Sequence, residues 1–182
     1  MKKDIKKISL TTSGFLLLFF FFSSSVFAVT PGAWLISGTY KATAKYKGVK
    51  KESTNDFSDK NLTISENGKK RTFKFFVDKY PLNGTWKEKP DKLNFTINSG
   101  NIKNMIQGYL NDNYKSYVDK FDIDIDVKTK TMAVIISPDN TTLTGNGSFN
   151  ANCNLSLDLG LITKKIGTIS FSGTVQFEGV MQ

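Results

Sequence analysis

The chain has no histidine. That absence removes His-based nucleophilic triads, imidazole general bases and His metal sites together. Cysteine is limited to Cys153, so neither an intrachain disulfide nor a thiolate zinc site can form. Arginine is as scarce, with Arg71 alone among 25 basic residues, and the lysines are scattered. Nucleic-acid recognition leans on clustered basic residues and groove-reading elements, and neither is visible. No glycine-rich loop precedes a helix to cradle phosphate. The sequence implies no cofactor and no metal, and it is read as a non-enzyme.

A membrane-spanning run is missing as well. The apolar stretch Phe15–Phe22 is far short of the ~20 residues a span requires. It follows Lys2, Lys3, Lys6 and Lys7 and precedes Ser23-Ser24-Ser25-Val26-Phe27-Ala28, with small residues at −3 and −1. That order predicts a signal peptide over 1–28. The protein is then exported, periplasmic or secreted, and 29–182 forms a single domain. The formal net charge of +9 permits a weak association with an anionic membrane or polymer.

What the sequence has in abundance is alternation. In 143–159 the odd positions read Leu143, Gly145, Gly147, Phe149, Ala151, Cys153, Leu155, Leu157 and Leu159, and every even position is polar. A second run places Ile169, Phe171, Gly173, Val175, Phe177, Gly179 and Met181 on one face. Successive strand side chains point to opposite faces, so both are half-buried strands. Cys153 lies on the apolar face and is predicted to be a buried thiol. A straight 17-residue strand would span ~55 Å, so the first must bend, with Gly145 or Gly147 the expected place.

The rest of the chain follows suit. Trp34–Lys47 alternates around Ile36, Gly38, Tyr40, Ala42, Ala44 and Tyr46. Residues 48–60 are polar without a period and predict a loop. Asn61–Ser65 and Arg71–Val77 flank Asn67-Gly68, a strong hairpin signal, and Pro81 is expected to break the second run. Leu82–Ile97 predicts another hairpin, turning at Lys89-Pro90-Asp91-Lys92. Then the period changes. Ile102, Met105, Ile106, Tyr109 and Leu110 fall on one helical stripe, so a helix is predicted over about 101–118, capped by Ser99 or Asn101. Phe121–Val127 and Met132–Ile136 are strands joined by a turn at Lys128–Thr131. Asp122, Asp124 and Asp126 project from one strand face ~7 Å apart, a solvated face with at most weak attraction for Ca²⁺.

About nine strands, within a range of 8–10, joined by short antiparallel connections and interrupted by one amphipathic helix, predict a mainly β, antiparallel up-and-down barrel. Leu82-Asn83-Gly84-Thr85-Trp86-Lys87, followed by Asp91–Ile97, and Gly32-Ala33-Trp34 near the start resemble lipocalin-like (calycin-type) exported proteins. The resemblance implies a barrel with an internal ligand pocket. Two features depart from it: the arginine is mid-chain, and the helix interrupts the strands instead of following them.

The function expected from this architecture is binding an apolar or amphipathic, lipid-like small molecule. Tyr40, Phe73, Phe75, Trp86, Phe95, Phe149 and Phe171 are the candidate lining. Those of the central hairpins (Phe73, Phe75, Trp86, Phe95) are favoured, with the helix as a lid. The competing reading of the same aromatics is a filled core. Two other functions stay open. One is a small outer-membrane barrel with its apolar faces toward lipid. The other is a surface or inhibitor protein meeting an acidic partner through Lys41, Lys45 and Lys47.

Overall fold

The computed structural model describes residues 31–77, 79–160 and 162–182, and the expected leader lies outside them. The elements run β1 (Gly32–Tyr46), β2 (Val49–Asn67), β3 (Lys70–Val77), β4 (Tyr80–Lys89), β5 (Lys92–Ile97), α1 (Ser99–Val118), β6 (Asp122–Ile136), β7 (Thr142–Asp158) and β8 (Thr163–Met181). Each strand pairs antiparallel with the next, and β8 returns to β1, so the sheet closes into a ring of eight strands. The first turn is Lys47-Gly48, both residues at positive φ (46° and 85°), the backbone demanded by a two-residue hairpin. Gly68 (φ 57°) serves the next hairpin, and Pro90-Asp91 the one between β4 and β5.

Three expectations change. Of residues 48–60, only Gly48 lies in a turn; 49–60 are not a loop but the first part of β2. There Val49, Lys51, Ser53, Asn55 and Phe57 stand opposite Tyr46, Ala44, Ala42, Tyr40 and Gly38 of β1. Its inward positions are mostly polar, so hydropathy carries no period; pairing with β1 imposes the strand. The turn expected at Lys128–Thr131 is also absent. β6 runs through it, with a register shift between Val127 and Thr129, and two expected strands become one. Pro81 lies inside β4, opposite Phe76, in the stretch before β4 begins to pair with β5 at Gly84. Its missing N–H therefore interrupts no ladder bond to β5.

Strand length divides the ring along its axis. β3, β4 and β5 have 8, 10 and 6 residues, whereas β2 and β8 have 19 each. β2 meets β3 only over Thr63–Asn67. β5 meets β6 only over Leu93–Thr96. At one end the ring is complete and packed solid. Trp34, Ile36, Leu62, Phe75 and Phe95 are almost fully buried there, and Phe73 lies against Phe95 with centroids 4.3 Å apart. Beyond that end the wall consists of β6, β7, β8, β1 and β2, and α1 stands in for the missing side.

The helix forms as its stripe predicts: Ile102, Ile106 and Leu110 are buried, while Lys103 and Asn104 are exposed. Its cap is neither Ser99 nor Asn101. The Asn98 side chain accepts the Gly100 N–H at 2.8 Å. Asn101 Oδ1 accepts the Asn83 N–H of β4 at 3.1 Å, and Ser99 Oγ accepts from Lys130 Nζ of β6. The two residues expected to cap the helix instead tie its first turn to two strands. At Tyr114 the backbone leaves the helical region (φ −141°, ψ 26°), next to Asn113, whose amide donates to the Tyr109 carbonyl at 2.9 Å.

Candidate functional site

The space between α1 and the long strands is hollow. A half-enclosed cavity of about 340 Å³ has its floor on β1 (Tyr40–Ala44), β8 (Phe171, Gly173, Val175) and β7 (Gly147, Phe149). Ile102, Met105, Ile106 and Tyr109 roof it, and Leu82 and Ile97 close it toward the packed end. A second cavity of about 530 Å³ continues along the helix between Leu110, Tyr114, Ile123, Leu155 and Ile169. The two share Ala44, Lys51, Tyr109 and Phe171, so they lie side by side along a groove under the helix. Each volume falls within the ~300–1,000 Å³ usual for ligand pockets.

Small residues make the floor possible. A Cβ on Gly173 would sit 2.2 Å from Cε1 of Phe149, its cross-strand partner. A Cβ on Gly147 would press on Met132 at 3.0 Å. On the apolar face of the C-terminal strands, Phe149 lies over Gly173 and Phe177 over Gly145, and Phe171 stands between Ala44 and Ala151.

The expected lining separates into two groups. Tyr40, Phe149 and Phe171 border the groove, and Phe171 borders both cavities. Phe73, Phe75, Trp86 and Phe95, the favoured group, border neither. They form the packed end, at most 2 % exposed. Trp86 donates to the Ser65 carbonyl at 3.3 Å and lies under the Arg71 guanidinium, 4.7 Å from its ring centroid. Arg71 therefore covers Trp86, not Trp34. The filled core and the hollow interior, posed as alternatives by the sequence, occupy opposite ends of one ring.

Sequence reasoning missed Lys51 and Tyr114. Lys51 stands opposite Ala44 and so shares its inward face. Its ammonium donates to the Tyr114 hydroxyl at 3.4 Å and lies 5.7 Å from that ring's centroid. The bond to Tyr114, then the nearby Tyr109 and Tyr114 phenols, raise the Lys51 pKa. Desolvation first, and Tyr114 second, raise that of Tyr109. The two rim carboxylates have cations of their own. Asp112 accepts from Lys79 at 2.7 Å and from Tyr80 at 3.4 Å, and the Lys79 bond lowers its pKa. Glu52 is lowered by Lys50, 2.6 Å away. Among the described residues no cluster of three Cys, Asp or Glu side chains could hold a metal ion. Asp122, Asp124 and Asp126 lie exposed on the outer face, where Asp126 pairs with Lys128.

No family model and no curated protein matches the chain. Two solved structures from Bacteroides ovatus are similar at 10% identity. One is described as a multidomain protein including DUF1735; the match covers 81% of this chain and 48% of that one, with a TM-score of 0.28. The other is described as a structural-genomics protein of unknown function, with 81% and 46% covered and a TM-score of 0.26. The chain spans about half the length of each. Scores this low carry no functional assignment.

Proposed function

We propose that this chain is an exported, non-enzymatic binding protein that holds an apolar or amphipathic, lipid-like molecule in an up-and-down β-barrel similar in principle to lipocalins. One observation carries the reading: an apolar groove lies between α1 and the long strands, holding two adjoining cavities and floored by Phe149 and Phe171. An alkyl chain placed there gains about 0.8 kcal/mol for each CH₂ withdrawn from water. The helix roofs the groove as a lid would. The outer-membrane alternative is disfavoured, because the faces of β7 and β8 turned away from the interior carry Asn, Ser and Thr where a lipid-facing belt would be apolar.

The test is saturable binding of a neutral chain. Dodecanol titrated into the purified protein is expected to bind at a single site by calorimetry. Replacing Phe171 with Asp, which puts a charge into both cavities, is expected to abolish binding, provided the variant keeps its circular dichroism. Absence of saturable binding in the unaltered protein would overturn the proposal.

A further inference from the structure

Lys51 breaks the pattern of the interior. Every other inward position in the facing stretch of β1, from Gly38 to Tyr46, is a small or aromatic residue, yet β2 places a solvent-exposed lysine at the rim of the groove, opposite Ala44. It does so where the two cavities join, so both are within its reach. Among the described residues no carboxylate lies within ion-pairing distance of it. Glu52 is held by Lys50 and Asp112 by Lys79. The phenols of Tyr109 and Tyr114 stand beside it, with ring centroids 6.2 Å apart, and the Tyr114 hydroxyl already accepts a hydrogen bond from it.

We infer that the ligand is a single-chain amphiphile with one negative charge in its head, a fatty-acid-type carboxylate, gripped by Lys51 and the Tyr109 and Tyr114 hydroxyls while its chain follows the groove. This rests on the reading of the groove as a lipid site and adds the head group and the ligand's orientation. The chemistry is complementary. Lys51 supplies a charge-assisted donor, the two phenols supply neutral donors, and a carboxylate oxygen accepts from all three. The chain continues from the junction along Ile106, Phe149 and Phe171; of the other charged residues bordering that cavity, Lys41 alternates with the inward Tyr40 and Ala42, and Glu52 and Asp112 are held by Lys50 and Lys79. One cation matches one anionic head. The first cavity, about 340 Å³, is at the small end of ligand pockets and suits one chain better than two.

The bland account of Lys51 is edge protection. β2 between Val49 and Leu62 pairs with β1 but not with β3, and an inward charge is a known guard on such an edge. The experiment separates the two accounts. Laurate, dodecanol and dodecyltrimethylammonium are titrated into wild type, Lys51→Met and Lys51→Arg. Wild type is expected to bind laurate about tenfold more tightly than dodecanol, the scale of one charge-assisted hydrogen bond. It should bind the cation most weakly. Lys51→Met is expected to lose the preference for laurate while keeping its affinity for dodecanol, and Lys51→Arg to retain most of it. Equal binding of laurate and dodecanol by wild type would overturn this inference and leave the groove as an apolar site. So would a Lys51→Met variant that keeps the preference while self-associating, since the lysine would then guard the edge only. Failure of every chain to bind would overturn both readings.

Discussion

The Phe149 ring lies directly on Gly173, its cross-strand partner, and both residues border the groove. The glycine gives the ring its seat; the ring gives the groove its wall. A methyl group at position 173 would collide with the ring at 2.2 Å. The ring is the movable partner, and the open side is the groove. Gly173→Ala is therefore expected to tilt Phe149 into the cavity and weaken dodecanol binding several-fold. The stability cost should be about 1–3 kcal/mol, as for other overpacked cores. Adding Phe149→Leu should recover much of both losses. Unchanged affinity in Gly173→Ala would mean that this ring does not bound the site.

A similar seat joins the helix to β4. A Cβ on Gly108 would fall 2.2 Å from the Tyr80 hydroxyl oxygen. Helix propensity alone makes Gly108→Ala stabilising by about 1 kcal/mol. The contact reverses that expectation: Tyr80 must leave the helix, and with it goes its bond to Asp112. Gly108→Ala should destabilise in urea, whereas Gly108→Ala with Tyr80→Ala should gain the propensity term. A single variant more stable than wild type would show that the helix does not dock through Tyr80.

The buried stripe of the helix gives a sharper contrast. Ile106 is 3 % exposed and Lys103 is on the solvent side. Ile106→Asp is expected to cost about 3–5 kcal/mol by leaving a charge buried without a partner, and Lys103→Asp to change little. Denaturant midpoints for the two variants measure the difference. Equal shifts would contradict an amphipathic helix packed on the sheet.

The elements legible in the sequence are those whose two faces meet different surroundings. β7 and β8 separate an apolar interior, packed at one end and hollow at the other, from water along their length, and α1 has one face on the sheet, so all three announce themselves by period. The first half of β2 does not. Its inner face looks into the groove beside an open edge, where Lys51, Ser53 and Asn55 are tolerated, and it is exposed on both sides. The same cause hid the site. Inward aromatics at the packed end and those along the groove obey one alternation, so Phe73 and Phe149 look alike in sequence. What distinguishes them is which neighbouring strands are short, a property of pairing that no single strand encodes. Tyr109 was visible as part of the helical stripe; Lys51, in a stretch without a period, left no signal.

Cys153 supplies a test of the register of β7. The thiol is fully buried, and burial, with Asp124 adding a smaller electrostatic push, raises its pKa to about 11. A free thiol ionises near ~8.5. Below that value both the native and the unfolded chain hold the proton, and Cys153 contributes nothing to the pH dependence of stability. Between roughly pH 9 and 11 the unfolded chain gives up its proton while the native chain keeps it, so ionisation favours unfolding and stability falls as pH rises. The loss approaches about 1.4 kcal/mol per pH unit, on the order of 2–3 kcal/mol by pH 11. Lysines and tyrosines titrate in the same window, so the quantity to follow is the stability difference between wild type and Cys153→Ala. That difference should shift against wild type between pH 9 and 11 and stay flat from pH 6 to 8. Native protein at pH 8 should also resist a polar thiol reagent that labels the unfolded chain at once. A flat difference across the alkaline range, or fast native labelling, would put Cys153 on the outer face and shift every residue of β7 to the opposite side of the sheet.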